Sequence, residues 1–526
     1  MKNKFACFTS GLFLLHICLC LMLWQRHKWR NTYINFHLTE KKPLSVNMTK
    51  VRSSEMCTLK SNNSYECWIG AFTLSWSGTF YEKLEANADS NNIVILAVVD
   101  LAFVDMAINL FEGLEHLQIK NFIFICSDSE SFNILLKKNI NAFLYDVDID
   151  SKNPSDFGTE KFRDKVGIKL KIVTAAVMLG FDVLLTDIDV VFLKDPIPNL
   201  LQDNGSDLYI QDDVVSPNSG FYLVKANSKG IQLMKLALQN FMSGSIADQD
   251  ALNEAANRMK QTKFLRVKVL SRELYPCGKI YFEIGRRMFV NDISHCKGKT
   301  CENKPFIVHN NWIVSKAAKI YRFKEIGLWT YDKDEYYSSI SQKYILYNNS
   351  KDFGNDTIYY EEMALKTALT MGKILNRAVI LPKFHCHLCI NVACKQKTNK
   401  CAFNSHFNVK IFDTFFDGLY RENSFLNHNK VPHIITKSIS PKIYIVIGDR
   451  DEIDGRENDT LVFVANKSLT VDEGDIVSWL GQGPTNDLKI LNFDSLYFSI
   501  NFTSRSWNEK LNNALKPSNY RQSERT

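Results

Sequence analysis

The sequence predicts an α/β protein: a mostly parallel central sheet flanked by helices, followed by a second, smaller α/β domain. Three observations carry that expectation. Short apolar runs of strand length alternate with longer stretches of helical periodicity. A chain of 526 residues has room for two or three folded units. A hydrophobic content of 45% with 12% aromatics supplies sizeable cores and excludes general disorder. The formal charge of +7 comes from 64 basic and 57 acidic residues spread along the chain, which gives no footing for nucleic-acid binding.

The elements follow in order. Phe5 to Trp24 is uncharged and apolar, flanked by Lys2, Lys4, Arg26, Lys28 and Arg30. Its length matches the roughly 20 residues that cross a bilayer core, so residues 1–30 read as an uncleaved signal anchor. Eight N-x-S/T sequons and the cysteine cluster Cys386, Cys389, Cys394 and Cys401, with Cys296 and Cys301, lean towards a luminal, disulfide-permissive compartment. Residues 31–90 are polar and read as a stem. From there, NNIVILAVVD is a strand, VDMAINLFEGLEHL a helix, NFIFICSDS a second strand with Cys126 as a buried thiol, and NAFLYDVDID a third, shorter one. In DKVGIKLKIVTAAVMLG, Val166, Leu170, Val173 and Val177 form one apolar helical face, and Gly180 is a plausible C-cap.

The stretch LLTDIDVVFLKDP, residues 184–196, comes next and carries the chemistry. Pairs of aspartates two apart also occur at Asp146/Asp148, Asp148/Asp150, Asp248/Asp250, Asp332/Asp334 and Asp449/Asp451, so the motif alone selects nothing. Asp187/Asp189 is the pair embedded in apolar sequence on both sides, at the carboxyl end of an expected sheet strand, where ligands of open α/β sheets gather. In extended backbone, residues i and i+2 face the same way, so both carboxylates can reach one cation. Two semi-buried acids without a base beside them are costly unless a cation is present.

Three further blocks accompany the pair. PNSGFYLVKAN places a small turn at Asn218, Ser219 and Gly220 before a strand. ADQDALNEAA puts Asp248, Gln249 and Asp250 at a helix start. VHNNWIVSKAAKIYRFKEIGLW brings His309 after an apolar strand, followed by Lys316 and Lys319. These four blocks, in this order over residues 91–332, resemble the nucleotide-diphospho-sugar transferase domain of glycosyltransferase family 77. The resemblance implies a GT-A-like fold, a divalent metal (manganese above all), a UDP-sugar donor of the xylose, galactose or arabinose class, a glycan or glycoprotein acceptor, and retention of anomeric configuration. It assigns Asp187, Asp189 and His309 to the metal, and Lys316 and Lys319 to the diphosphate, with Lys169 and Lys171 as weaker candidates. Asp248, Gln249 and Asp250 fall to the reacting sugar, and Asn218, Ser219, Gly220, Asp212 and Asp213 to the substrate pocket. With the anchor, it implies a single-pass type II protein of the Golgi membrane with a luminal catalytic part.

Residues 333–526 read as an α/β accessory domain. YYEEMALKTALTMGKILNRAVILPKF is a helix followed by a strand, and KIYIVIG and TLVFVAN are further strands. No acid pair or phosphate-cradling glycine loop stands out there, and the tail from Pro517 reads as disordered. Two other functions compete for the chain. A phosphatase also opens on an aspartate pair after a strand, but small residues would follow the second acid where Val190 and Val191 stand. A non-catalytic glycan-binding or scaffolding descendant is the alternative that the intact Asp187, Asp189 and His309 argue against.

Overall fold

The computed structural model describes residues 57–59, 64–69 and 72–515, except 146–151, 153–159, 204, 245–246, 285–304, 350–352, 386–399, 402, 404–405, 448–459 and 466–469. The expected anchor, the aspartate run after Tyr145, Asp449/Asp451, the side chains of the clustered cysteines and the tail from Pro517 lie outside the described residues. Among the described residues no helix is long and apolar enough to cross a membrane.

The first sheet has seven strands. They are β1 (Ile93–Val99), β2 (Phe122–Cys126), β3 (Ala142–Leu144), β4 (Asp182–Thr186), β6 (Leu208–Asp212), β7 (Pro217–Val224) and β8 (Val267–Val269), in the order β8-β6-β7-β4-β1-β2-β3. The intervening β5 (Val190–Phe192) leaves the sheet to pair with β9 (Ile307–His309) in a two-stranded antiparallel ribbon. Pairing is parallel from β4 through β1 and β2 to β3, and β7 runs antiparallel to both β4 and β6. The α/β expectation with a mostly parallel sheet therefore holds. Strands β1 and β2 are buried along almost their whole length, as apolar runs covered on both faces must be.

Helices cover both faces: α1 (Val104–His116), α2 (Ser129–Lys137), α3 (Glu160–Met178), α4 (Ser228–Ser243) and α5 (Asp248–Gln261). The four apolar positions read from the sequence of α3 are buried. Gly180 follows with φ +97°, a backbone state that glycine adopts without strain. Folding starts ahead of residue 91: a helix over Gly78–Asn87 buries Phe80 and Leu84 in the core beside α3, so the stem expected over 31–90 is too long. Those aromatic and aliphatic side chains recur at helical spacing within an otherwise polar stretch.

A second sheet is parallel throughout. Its strands are β10 (Tyr344–Tyr347), β11 (Ala378–Ile380), β12 (Tyr420–Arg421), β13 (Ile439–Ile447), β14 (Thr460–Ala465) and β15 (Ile490–Phe493), ordered β12-β11-β10-β15-β13-β14. Helix α6 (Lys316–Glu325) leads from the ribbon towards it, and α7 (Thr357–Leu375) connects β10 to β11. Helix α1, the ribbon and the second sheet feed one apolar cluster in which Met106 and Val191 join Tyr344, Ile380 and Phe425. Cys126 is a buried free thiol as expected, and burial pushes it up to about 12.

Candidate active site

The site begins where β4 ends. Asp187 donates its main-chain N–H to the Gly220 carbonyl on β7 at 2.7 Å, which fixes the backbone just past the strand. Asp189 is 5% exposed, and its carbonyl accepts from Asn310 N–H at 2.8 Å. The ribbon then folds β9 back so that His309 stands opposite Val190. The imidazole Nε2 lies 3.3 Å from Asp189 Oδ1 and 3.9 Å from Asp187 Oδ2. Ligand atoms of Asp187, Asp189 and His309 all lie within 4.8 Å of one another.

Gln211 and Gly220 prepare this cluster. His309 Nδ1 sits 2.8 Å from Gln211 Oε1; as the N–H donor there, it leaves the Nε2 lone pair turned to the aspartates. Nε2 is buried and makes no hydrogen bond of good geometry. A buried acceptor without a donor is costly, and a cation relieves that cost. A side chain at Gly220 would put a Cβ 2.4 Å from Asp187 Oδ2 and 2.7 Å from His309 Cε1, so only glycine leaves this space open. Two carboxylates and one neutral imidazole held by an outer amide suit a divalent ion such as manganese. The residues present fit the metal.

The electrostatics keep Asp189 ionised. Burial favours the neutral acid at Asp189, but Lys319, with Nζ 2.6 Å from Oδ2, and His309 outweigh it and hold the carboxyl far below the ordinary range. Burial likewise pulls His309 down, and the charges of Asp189 and Asp187 more than reverse it, so the net shift is upward. Lys169, from α3, sits under the pair with Nζ 2.9 Å from Asp187 Oδ1 and 3.1 Å from Asp248 Oδ2. Burial would neutralise its ammonium, but the two carboxylates raise its pKa above the usual lysine value and keep it charged. It is no surface lysine: it ties the strand-end acid to the start of α5.

Other expected residues divide. Asp248 is buried at the first turn of α5, but Asp250 is exposed on the opposite side. Neighbours two apart on a helix are about 200° apart around its axis, so the pair cannot share a target as a strand pair does. Gln249 lies between, its Nε2 donating to Ser216 Oγ at 3.2 Å and its Oε1 3.5 Å from Ser219 N. Asn218, Ser219 and Gly220 do not form a turn before a strand: they lie within β7, where the register against β6 slips between Asn218 and Tyr222. Asp213 is buried and satisfied by Asn218 Nδ2 at 2.9 Å, Asn311 Nδ2 at 2.9 Å and Trp312 Nε1 at 2.6 Å, which makes it an anchor for two loops. Asp212 pairs with Arg272 at 3.0 Å. Lys316 pairs with Asp105 of α1 at 2.8 Å, away from the Asp189–Lys319 contact. Lys171 joins none of these pairs; burial lowers its pKa.

Two aspartates and a histidine gathered at the carboxyl edge of an α/β sheet form a possible metal site. Residues 117–323 match the model of the nucleotide-diphospho-sugar transferase family, and the chain carries such a domain. It is 27% identical over 323 residues to a β-arabinofuranosyltransferase of Arabidopsis thaliana, covering 57% of this chain and 58% of that protein. It is 26% identical over 306 residues to a UDP-galactose:fucoside α-3-galactosyltransferase of Dictyostelium discoideum, covering 48% of this chain and 45% of that one. With a UDP-D-xylose:L-fucose α-1,3-D-xylosyltransferase of Arabidopsis thaliana it shares 24% identity over 355 residues, 61% of this chain and 88% of the relative. The chain thus spans about half the length of the first two relatives.

Proposed function

We propose that this chain is a metal-dependent glycosyltransferase that moves a sugar of the xylose, galactose or arabinose class from a UDP-sugar to a glycan or glycoprotein, with retention of configuration. The observation that carries the proposal is the convergence of the Asp187, Asp189 and His309 ligand atoms inside the matched transferase domain. The named relatives support a nucleotide-sugar donor. Asp187, Asp189 and His309 would hold the ion, manganese being the best match. When bound, the cation offsets the charge that builds on the diphosphate as the sugar–oxygen bond breaks.

The chain's own groups do the rest. Gln211 keeps His309 in the tautomer that presents Nε2. Lys319 keeps Asp189 ionised, and Lys169 bridges Asp187 and Asp248. Asp248 and Gln249 are thereby the groups poised for the sugar, Asp248 through its shared contact with Lys169 and Gln249 through its contacts with Ser216 and Ser219. We place the protein in the Golgi membrane as a single-pass type II protein, on the strength of the apolar segment Phe5 to Trp24 and the sequons.

The test is UDP release from a panel of UDP-sugars by the full chain, with manganese, with EDTA, and after Asp187→Asn with Asp189→Asn. Manganese-dependent release from one sugar, lost with EDTA and in the variant, is expected. Failure of every UDP-sugar to yield UDP, with no binding of UDP in manganese, overturns the proposal.

A further inference from the structure

A short strand over Ser499–Asn501 runs beside Thr470–Asp472 in a parallel pair, with Val471 opposite Ile500 and Asp472 opposite Asn501. Its faces alternate, and the alternation carries on past the strand end: Ile500 and Phe502 pack against the core of the second sheet, while Asn501 and Thr503 are exposed. In such an alternation residues i and i+2 share a face. The stretch Asn501-Phe502-Thr503 therefore presents a carboxamide and a hydroxyl to solvent on one side, and it reads N-x-T.

We propose that Asn501 is a modification site that carries an N-linked oligosaccharide. The inference goes beyond the reaction proposed above and rests on the luminal placement of the chain. The co-reactant is a polyprenyl-diphosphate-linked oligosaccharide. The bond from the sugar C1 to the diphosphate oxygen breaks, and a bond from C1 to Asn501 Nδ2 forms. The polyprenyl diphosphate leaves with the bonding electron pair, and one amide proton passes to a base of the transferring enzyme.

Two features of the fold keep this site open. Turning Asn501 inward would turn Ile500 and Phe502 outward, because a slip of one residue exchanges the two faces of a strand. The amide is also held in place: Asn501 Nδ2 donates to Asp472 Oδ1 at 3.0 Å, and Asp472 is itself exposed. An amide nitrogen carries two protons, so a sugar takes the place of one and the other can still reach Asp472. The glycan then extends from an exposed position without displacing a packed side chain.

Another sequon shows the opposite arrangement. In Asn355-Asp356-Thr357, at the start of α7, Thr357 is fully buried; its hydroxyl accepts from Phe353 N–H at 2.7 Å and donates to the Gly354 carbonyl at 3.0 Å. Folding draws that hydroxyl into the turn ahead of α7, whereas it leaves Thr503 at the surface. Ile500 and Phe502, which flank Asn501, pack in the core of the second sheet, and β4, which leads to Asp187, packs in the cores of the first. Modification of Asn501 is thus separate from the acid pair.

The test expresses the full chain through the secretory pathway of a eukaryotic cell and treats it with peptide-N-glycosidase F in heavy-oxygen water. Each glycosylated asparagine becomes a labelled aspartate, read by peptide mass spectrometry against a sample without the enzyme. Wild type is compared with Asn501→Gln, Thr503→Ala and Thr503→Ser, all at exposed positions. Label at position 501 in wild type and in Thr503→Ser is expected, with loss of that label in Thr503→Ala. Asn501→Gln should lose one glycosidase-sensitive step in gel mobility, with the far-ultraviolet circular dichroism unchanged. Label on other sequons with Asn501 unlabelled, or label at 501 that persists in Thr503→Ala, overturns the site and leaves the luminal placement standing. No label on any sequon overturns the luminal placement and the site with it. The transferase reading is decided separately, by UDP release.

Discussion

The molecule contains two parallel sheets with helices on their faces, and their carboxyl edges have different fates. At the second, polar side chains meet in separate contacts, Glu422 Oε1 is left without a hydrogen bond, and among the described residues no metal-ligating group gathers. Tyr336 Oη donates to Glu422 Oε2 at 2.6 Å, the Arg421 guanidinium donates to the carbonyls of Tyr420 and Gly418 at 2.8 and 3.2 Å, and His385 Nδ1 meets Glu361 Oε1 at 2.6 Å. At the first, the acids are paired through Lys169 and Lys319, and the ligand atoms of Asp187, Asp189 and His309 converge within 4.8 Å of one another. The comparison teaches that topology nominates an edge and the convergence of ligand atoms selects it.

The largest effect that could break this contrast is loss of the acid pair. Asp187→Asn with Asp189→Asn should lower manganese-dependent UDP release by at least about a thousandfold, while Glu422→Gln at the second edge leaves it within about twofold. Equal losses in the two would erase the distinction. Next comes Gly220→Ala. The added Cβ collides with Asp187 and His309, so manganese affinity measured by calorimetry should drop about a hundredfold with the far-ultraviolet circular dichroism unchanged. Gln211→Leu frees the imidazole without filling the site, and a fall of about tenfold in the same affinity is expected; no change would mean that Nδ1 needs no anchor.

The smallest effect sharpens the other side. Burial pushes the Lys324 ammonium, stacked 3.2 Å over the Tyr336 ring, down to about 8. A lysine whose folded pKa lies below its unfolded value binds fewer protons when folded, so its penalty is full below about 8 and fades as pH rises towards the unfolded value. Denaturant unfolding should show wild type gaining on the order of 1 to 3 kcal/mol relative to Lys324→Met between pH 8 and 10. UDP release at neutral pH should not differ between them. A flat difference across that range would mean that the second edge carries no strained charge.

Much of the first edge was legible in the residues. Asp187 and Asp189 announced themselves because an apolar strand must stop somewhere, although they meet through the turn that follows β4 and not along extended backbone. His309 followed an apolar run in the same way. What was misread shows why. Asp250 was grouped with Asp248 by the spacing that works on a strand, although the helix start was visible and helical geometry separates such neighbours. Asn218 to Gly220 read as a turn because those residue types favour turns, whereas a bulge within β7 absorbs them. Gln211 gave no local signal: it is one polar residue in a strand, and its task exists only because the ribbon of β5 and β9 returns a histidine to it. Lys169 looked like a routine helix lysine, since which face of α3 meets the strand end is decided by tertiary packing.

The hairpin of β6 and β7 has a consequence beyond its place in the sheet. Gln211, Asp213, Asn218, Ser219 and Gly220 all ride on it, and through them it holds the imidazole, the Trp312 loop, the start of α5 and the gap beside Asp187. Inserting or deleting one residue at its tip would move all of these together. Sequence drift can therefore change α5's outer face residue by residue, but it can alter this hairpin only wholesale, so the hairpin should stay fixed in length.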